Sequence, residues 1–408
     1  MRTSVIIPAW NLWELTRDCL LSLAAHSRGA NLQVIVVDNG STDATREALE
    51  PLGRECWGRD FLPLRLPENE GFAWACNAGA RAADGDALFF VNNDITFSPD
   101  WLPPLTAALA RPGTVAVGPL LLYPDGTCQH CGVSLGPLGT LCHLYEGFPG
   151  DHPALRRPHP LQAITGAALL LPRERFAAAG GFHEGYRNGF EDLDLCLTLG
   201  RQGGKLRLAA ESVLCHRTSQ TPGRFDRDAE NAALLASRWG GAWQPDLHVQ
   251  AAVDGYEARL NPQGTAYVAL PDARARELDA AAAGRDMSFW REQLRREPLW
   301  LGGYLLLAGE LEARGKAADA LDLLIRGADM LPLPLLFRRL LQLARVCRQP
   351  RLMEAMLDKL QISPDRRETL LAKAHASLRE ARKRGDDMLV RLLRQWLAEN
   401  SLQPDGGA

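Results

Sequence analysis

The stretch Ala87-Leu88-Phe89-Phe90-Val91-Asn92-Asn93-Asp94 decides how the chain is read. Five apolar residues in succession, without polar alternation, describe a strand buried on both faces, as at the centre of a parallel sheet. The polar tip that follows lies where ligands sit in open α/β sheets, beyond the carboxyl ends of the strands. A hard divalent cation takes carboxylate and phosphate oxygens together. Asp94 is therefore a candidate to hold such an ion against a nucleotide diphosphate. The competing reading of the triplet is a strand-end turn, in which Asn and Asp tolerate unusual backbone angles.

Working outward toward the N-terminus, residues 3–7 form a short apolar strand stopped by Pro8, and residues 12–25 show helical spacing. Residues 32–37 are a second apolar strand, followed at once by Asp38-Asn39-Gly40-Ser41-Thr42-Asp43, where Ser41 or Thr42 is placed to cap the next helix. A third strand is expected over 61–66, and a helix opening at Glu70-Gly71 and running to residue 83. Strand–helix alternation of this kind means an α/β, doubly wound sheet. Asp38 and Asp94 then project from strand tips on one sheet edge. No Gly-x-Gly-x-x-Gly or Walker-type cradle follows the first strand. A dinucleotide or P-loop site is excluded, and a diphosphate here must be neutralised mainly by a cation.

Composition bounds the function. The chain has 408 residues, enough for two or three domains. Net charge is −3, which gives no basic field for nucleic acid. Hydrophobic content of 46% and charged content of 23% are those of a globular protein. The apolar runs are strand-sized, short of the roughly 20 residues of a membrane span. Nine scattered cysteines and no signal-peptide layout favour a reducing cytoplasm, with a peripheral place on the inner membrane face left open.

Four segments then occur in order: Val5-Ile6-Ile7-Pro8; Val37-Asp38-Asn39-Gly40-Ser41-Thr42-Asp43; Asn69-Glu70-Gly71-Phe72 with Asn77-Ala78-Gly79; and Asn92-Asn93-Asp94. Together they resemble the family 2 glycosyltransferases of GT-A fold, over roughly the first 240 residues. The resemblance implies a GT-A doubly wound mixed sheet and an inverting transferase that uses a nucleotide-diphosphate sugar and Mg²⁺ or Mn²⁺. It puts Pro8 and Asp38 in the nucleotide pocket, Asn77 beside the base or ribose, and Asn92, Asn93 and Gly166 against the donor. Asp94 matches the last acid of the family's Asp-x-Asp motif. Asn92 stands where the first acid belongs, and coordinates only through an uncharged carbonyl. Glu191-Asp192 matches the family's Glu-Asp pair, with Asp192 as the catalytic base and Glu191 on the acceptor side. His216, at the tip of a strand over 209–216 and followed by Arg217-Thr218-Ser219, is implied as a diphosphate or metal contact.

The chemistry agrees with one base. Inverting transfer needs a carboxylate to take the acceptor hydroxyl's proton as that oxygen attacks an oxocarbenium-like anomeric carbon. A metal-stabilised diphosphate leaves without a general acid. Helix-dipole preference for acids at an N-terminus explains Asp194, and competes for Glu191. Cys128-Gln129-His130-Cys131 with Cys142-His143 loosely fits zinc spacing, against buried free cysteines beside a Tyr123-Pro124-Asp125-Gly126 turn. Residues 163–171 are expected as a buried strand and 226–239 as a helix.

The expected organisation is a transferase domain over 1–249, a connector over 250–286 and an all-α domain over 287–404. In the last, Tyr304, Leu307, Ala308, Leu311, Gly315, Ala320, Leu324 and Pro332 are similar to one tetratricopeptide repeat. A plain helical bundle is the alternative. Partners expected are a nucleotide-diphosphate sugar, a glycan, lipid-linked or protein acceptor, and a protein bound by the helices. The second functional reading is a non-catalytic scaffold with a decayed transferase domain.

Overall fold

The structure, a computed structural model, describes residues 1–218 and 226–401; Ser219 and the end of the 287–404 region fall outside it. The chain divides into two compact bodies, residues 1–133 with 155–243, and residues 134–154 with 244–401.

The first body alternates strand and helix: β1 (Thr3–Ala9), α1 (Trp13–Ala25), β2 (Leu32–Asp38), α2 (Thr45–Trp57), β3 (Phe61–Arg65), α3 (Phe72–Ala82), β4 (Ala87–Val91), β5 (Ile95–Phe97), α4 (Leu102–Leu109), β6 (Thr114–Leu122) and β7 (Cys128–His130). Two short strands, β8 (Val133–Leu135) and β9 (Leu141–His143), pair with each other, and all but Val133 belong to the second body. β10 (Ala168–Pro172), α5 (Arg173–Ala178), α6 (Glu191–Arg201), β11 (Lys205–His216) and α7 (Asp228–Trp239) complete the first body. The sheet order is β3-β2-β1-β4-β10-β6-β11-β5, with β7 on β6. β1, β2, β3 and β4 are mutually parallel, whereas β10 is antiparallel to both β4 and β6.

β4 is central because both its faces are covered. Phe89 stacks on Trp101 at 5.0 Å, and Phe90 packs with Phe176 and Phe182 at 4.8 and 4.9 Å. Adjacent residues of a strand point to opposite faces, so each ring serves a different layer. All five residues of β4 are fully buried, at about 1.5–3 kcal/mol for each large side chain. α3 lies close on β1: a Cβ at Gly79 would meet Ile6 Cγ2 at 2.5 Å, so Gly is required there.

Two expectations are corrected. Residues 163–167 are not strand; β10 begins at Ala168, and Gly166-Ala167 is a turn. α2 is not capped by Ser41 or Thr42. Asp43 Oδ1 accepts from Thr45 N–H at 3.1 Å, while Ser41 Oγ accepts from Asn11 N–H at 2.8 Å.

Beyond residues 134–154, the second body holds α8 (Leu247–Val253), a hairpin of β12 (Glu257–Leu260) and β13 (Ala266–Ala269), and α9 (Asp272–Ala282). Helices α10 (Met287–Arg296), α11 (Leu301–Ala313), α12 (Ala317–Met330), α13 (Pro334–Val346), α14 (Pro350–Leu360), α15 (Pro364–Arg384) and α16 (Asp387–Ser401) follow. Each helix from α10 to α13 packs on its successor, and α15 packs on α16 around Leu378, Leu389, Leu393 and Trp396. No helix among the described residues is long and apolar enough to cross a membrane.

Candidate active site

The sheet's carboxyl edge collects the acids. Asp38 ends β2, and Asp94 follows β4, with β1 between those strands. Two strand spacings put the tips about 10 Å apart, the span of a nucleoside. Asp38 is 1% exposed. Its Oδ1 accepts from Ser41 N–H at 2.8 Å, and its Oδ2 accepts from Arg65 Nε at 3.1 Å. Pro8 is half-buried beside it, in register with Val37.

Asp94 and His216 meet because β5 turns back and pairs antiparallel with β11, setting Ile95 opposite His216. His216 Nε2 lies 3.0 Å from Asp94 Oδ1. His216 Nδ1 lies 3.0 Å from Gln129 Oε1, and an amide oxygen can only accept. Nδ1 therefore carries a proton. Nε2 faces the buried Asp94 Oδ1: a charged ring closes an ion pair there, and a neutral one leaves imidazole nitrogen and carboxylate oxygen together as two donors for a cation. That donor set suits Mn²⁺, and less well Mg²⁺. Asn92 Nδ2 approaches His216 Nε2 at 3.4 Å. The charge of Asp94 is felt nearby: burial, and then Asp94, push the Cys19 thiol well up.

A second cluster adjoins the first through two residues. Asn92 N–H donates to Ala167 O at 2.9 Å, and Gly166 N–H donates to Asp192 Oδ2 at 2.6 Å. Asp192 Oδ1 accepts from Leu193 N–H at 2.8 Å. Asp192 is half-buried in the first turn of α6, so its carboxylate is held but reachable. Glu191 is turned inward, 5% exposed, and its Oε2 accepts from Gly189 N–H at 2.7 Å. Asp194 is a fastener rather than a dipole partner alone. Its two oxygens take Arg238 Nε at 2.8 Å and Nη2 at 3.1 Å, tying α6 to α7.

Two expected donor contacts are employed elsewhere. Asn77 is buried; its Nδ2 donates to Phe182 O at 2.8 Å and Glu184 Oε1 at 2.9 Å, and its Oδ1 accepts from Phe182 N–H at 2.9 Å. Its amide therefore clamps the loop before α6. Asn93 Nδ2 donates to Thr16 Oγ1 at 2.8 Å, anchoring the β4 tip to α1. The zinc alternative finds no support: Cys128 and Cys131 are buried and in no disulfide, and no group of three or more His, Cys, Asp and Glu placed to hold a metal ion occurs among the described residues. The residues between them matter instead. Gln129 orients His216, and His130 Nε2 accepts from Thr165 N–H at 3.3 Å, bracing the Gly166 turn. Gln129 and His130 drew notice only as part of a zinc-type spacing, and Arg65, at the end of β3, carries no local signal.

A mixed α/β sheet in the order 3-2-1-4, interrupted by an antiparallel strand and carrying acids at its carboxyl edge, defines a GT-A domain. Residues 4–138 match the family model for "Glycosyl transferase family 2", and the chain carries a domain of that family. The chain is 33% identical over 236 residues to the uncharacterized protein y4gI of Sinorhizobium fredii, covering 56% of this chain and 26% of that protein. It is 32% identical over 226 residues to the O-antigen biosynthesis protein RfbC of Myxococcus xanthus, covering 53% of this chain and 17% of that protein. It thus spans about a quarter or less of both relatives. Among solved structures, GalNAc-T7 with UDP, GalNAc and Mn²⁺ superposes with a TM-score of 0.49 at 17% identity, over 60% of this chain and 49% of that one.

Proposed function

We propose that the first body transfers a sugar, with inversion, from a nucleotide-diphosphate donor to a hydroxyl of a glycan, lipid-linked or protein acceptor. The observation that carries this reading is the pair His216 Nε2 and Asp94 Oδ1, 3.0 Å apart on the sheet edge that also presents Asp192 through the Gly166 turn. A match to a relative named for O-antigen biosynthesis favours a glycan acceptor.

Asp94 and His216, with the carbonyl of Asn92, would hold Mg²⁺ or Mn²⁺. Such a cation supplies the positive charge that stabilises a departing diphosphate. Asp38, Arg65 and Pro8 hold the nucleoside about two strand spacings away. Asp192 accepts the acceptor's hydroxyl proton as that oxygen attacks the anomeric carbon. Each Asp192 oxygen accepts one backbone N–H and keeps a lone pair for that proton. Glu191 holds the loop entering α6, and so aims the base.

Melting the protein with UDP-, GDP- and dTDP-sugars, with and without Mn²⁺, tests the reading. A rise in Tm that needs both Mn²⁺ and one donor, followed by transfer of that sugar, is expected. No shift with any donor overturns it.

A further inference from the structure

The second body contains a cavity of about 660 Å³, remote in sequence from every residue assigned above. One wall is a single face of α16. Met388, Arg391, Leu392, Gln395, Trp396 and Glu399 line it, at the three- and four-residue steps that share one side of a helix. They form two parallel rows. Met388, Leu392 and Trp396 make an apolar ridge, and Arg391, Gln395 and Glu399 a polar one. Each row spans eight residues, about 12 Å at 1.5 Å per residue.

The facing wall is the β12–β13 hairpin. Arg259 and Tyr267 are directly opposed across it, and both line the cavity with Tyr256. Arg259 Nη2 is held by Glu257 and Asp272, each at 2.8 Å, so its charge is already balanced. Trp396 donates its indole N–H to Asn261 O at 2.8 Å and is 4% exposed, so it floors the apolar ridge while Met388, Leu392, Tyr256 and Tyr267 supply its more open surface. Burial raises the Tyr267 pKa, which keeps the phenol a neutral donor. At the α8 end His248 is 3% exposed, with Nε2 on the Asp386 carboxylate at 3.0 Å. Its Nδ1 is buried and has no partner. With Nε2–H donated to Asp386, Nδ1 is an acceptor awaiting a donor.

The geometry points to a saccharide-binding site for a short, neutral oligosaccharide. A nucleic acid or polyphosphate would need net positive charge, and here Glu257, Asp272 and Glu399 outnumber Arg259 and Arg391. An apolar helix would need a continuous apolar groove, and here the ridge is doubled by a polar row. A pyranose has one C–H face and a rim of hydroxyls that both donate and accept. It matches a wall that offers aromatic and aliphatic surface beside an amide, a guanidinium and a carboxylate. The site lies wholly within the second body, and its occupancy does not depend on the proposed transferase reading.

The test is calorimetry on the full chain with trisaccharides of glucose, mannose, galactose and N-acetylglucosamine, and with inorganic pyrophosphate. At least one trisaccharide is expected to bind. Gln395→Ala and Tyr267→Ala should each weaken it ten-fold or more, and Asp192→Asn should leave it unchanged. Arg391→Ala, on an exposed side chain, gives a variant that retains the fold and should also weaken binding. No binding by any trisaccharide, binding that survives all three second-body variants, or binding lost with Asp192→Asn would each overturn the assignment, as would tight binding of pyrophosphate alone.

Discussion

Gly166 and Asp192 are in contact as backbone to side chain: the Gly166 N–H donates to Asp192 Oδ2 at 2.6 Å, and a Cβ at Gly166 would stand 3.0 Å from Asp192 Cβ. The carboxylate is thus positioned by a residue whose side chain would crowd it. Asp192→Asn removes the base and keeps the shape, so transfer should fall by about 10²–10⁴-fold with donor binding retained. Gly166→Ala pushes the carboxylate aside by a fraction of an ångström and should cost on the order of 10-fold or more in kcat. Steady-state kinetics beside donor titration read both. Full turnover in Asp192→Asn removes the base assignment.

Gln129 acts on the proposed cation site through His216. Gln129→Leu keeps the volume but deletes the acceptor of His216 Nδ1–H. The ring then loses the bond that fixes its tautomer and angle. Half-saturating Mn²⁺ should rise about 10–100-fold, the usual cost of losing a group that orients a ligand. His216→Ala should raise it further. Equal Mn²⁺ dependence in wild type and both variants would show that the metal binds elsewhere.

Much of this site is legible in the residues, and the reason is period. β2 is largely apolar and ends in Asp38, and β4 is an unbroken apolar run that leads into Asn92-Asn93-Asp94, so the sheet edge and its acids are visible at once. The direction of β10 is not visible, because it follows from a connection of some forty residues between β6 and β10 rather than from its own composition. Asn77 shows the limit most plainly. The resemblance makes it a ligand contact, but its partner Phe182 lies 105 residues on. Gln129 and His130 fail for the opposite reason. Between two cysteines they suggest a metal motif, yet each serves a neighbour across the sheet edge. Through-space partnerships of single polar groups leave no periodic trace.

The Asp194–Arg238 pair should be a determinant of stability more than of chemistry. Asp194 is 3% exposed and takes both Arg238 nitrogens, with Tyr186 and Trp239 beside it. Arg238→Ala leaves that carboxylate buried with weaker company. A fully buried pair broken this way loses about 3–5 kcal/mol. Arg238 is about a third exposed, so solvent screening reduces the expected loss to roughly 2 kcal/mol. Urea unfolding measures it. Because Asp192 lies on the same turn of α6, kcat should fall as well, and donor affinity should not. An unchanged midpoint would mean that α7 does not hold α6 in place.

Asp43 joins two helices and should make stability depend on pH. Its Oδ2 accepts from Trp13 N–H at 3.0 Å at the start of α1, where the N-cap residue Leu12 offers no acceptor, and its Oδ1 accepts from Thr45 N–H at 3.1 Å at the start of α2. Burial opposes ionisation, but hydrogen bonds from Thr45 and Trp13 outweigh it and hold the carboxyl below its ordinary value. A depressed folded-state pKa adds stability that is complete above the unfolded value, near 3.9, and is lost as pH falls through the folded one. Asp43→Ala should therefore cost about 1–2 kcal/mol at pH 7, as for a lost helix cap, and the gap from wild type should close below about pH 3. Urea midpoints at several pH values between neutrality and acid read this directly. A gap that stays constant across that range would show that the charged form of Asp43 does no capping.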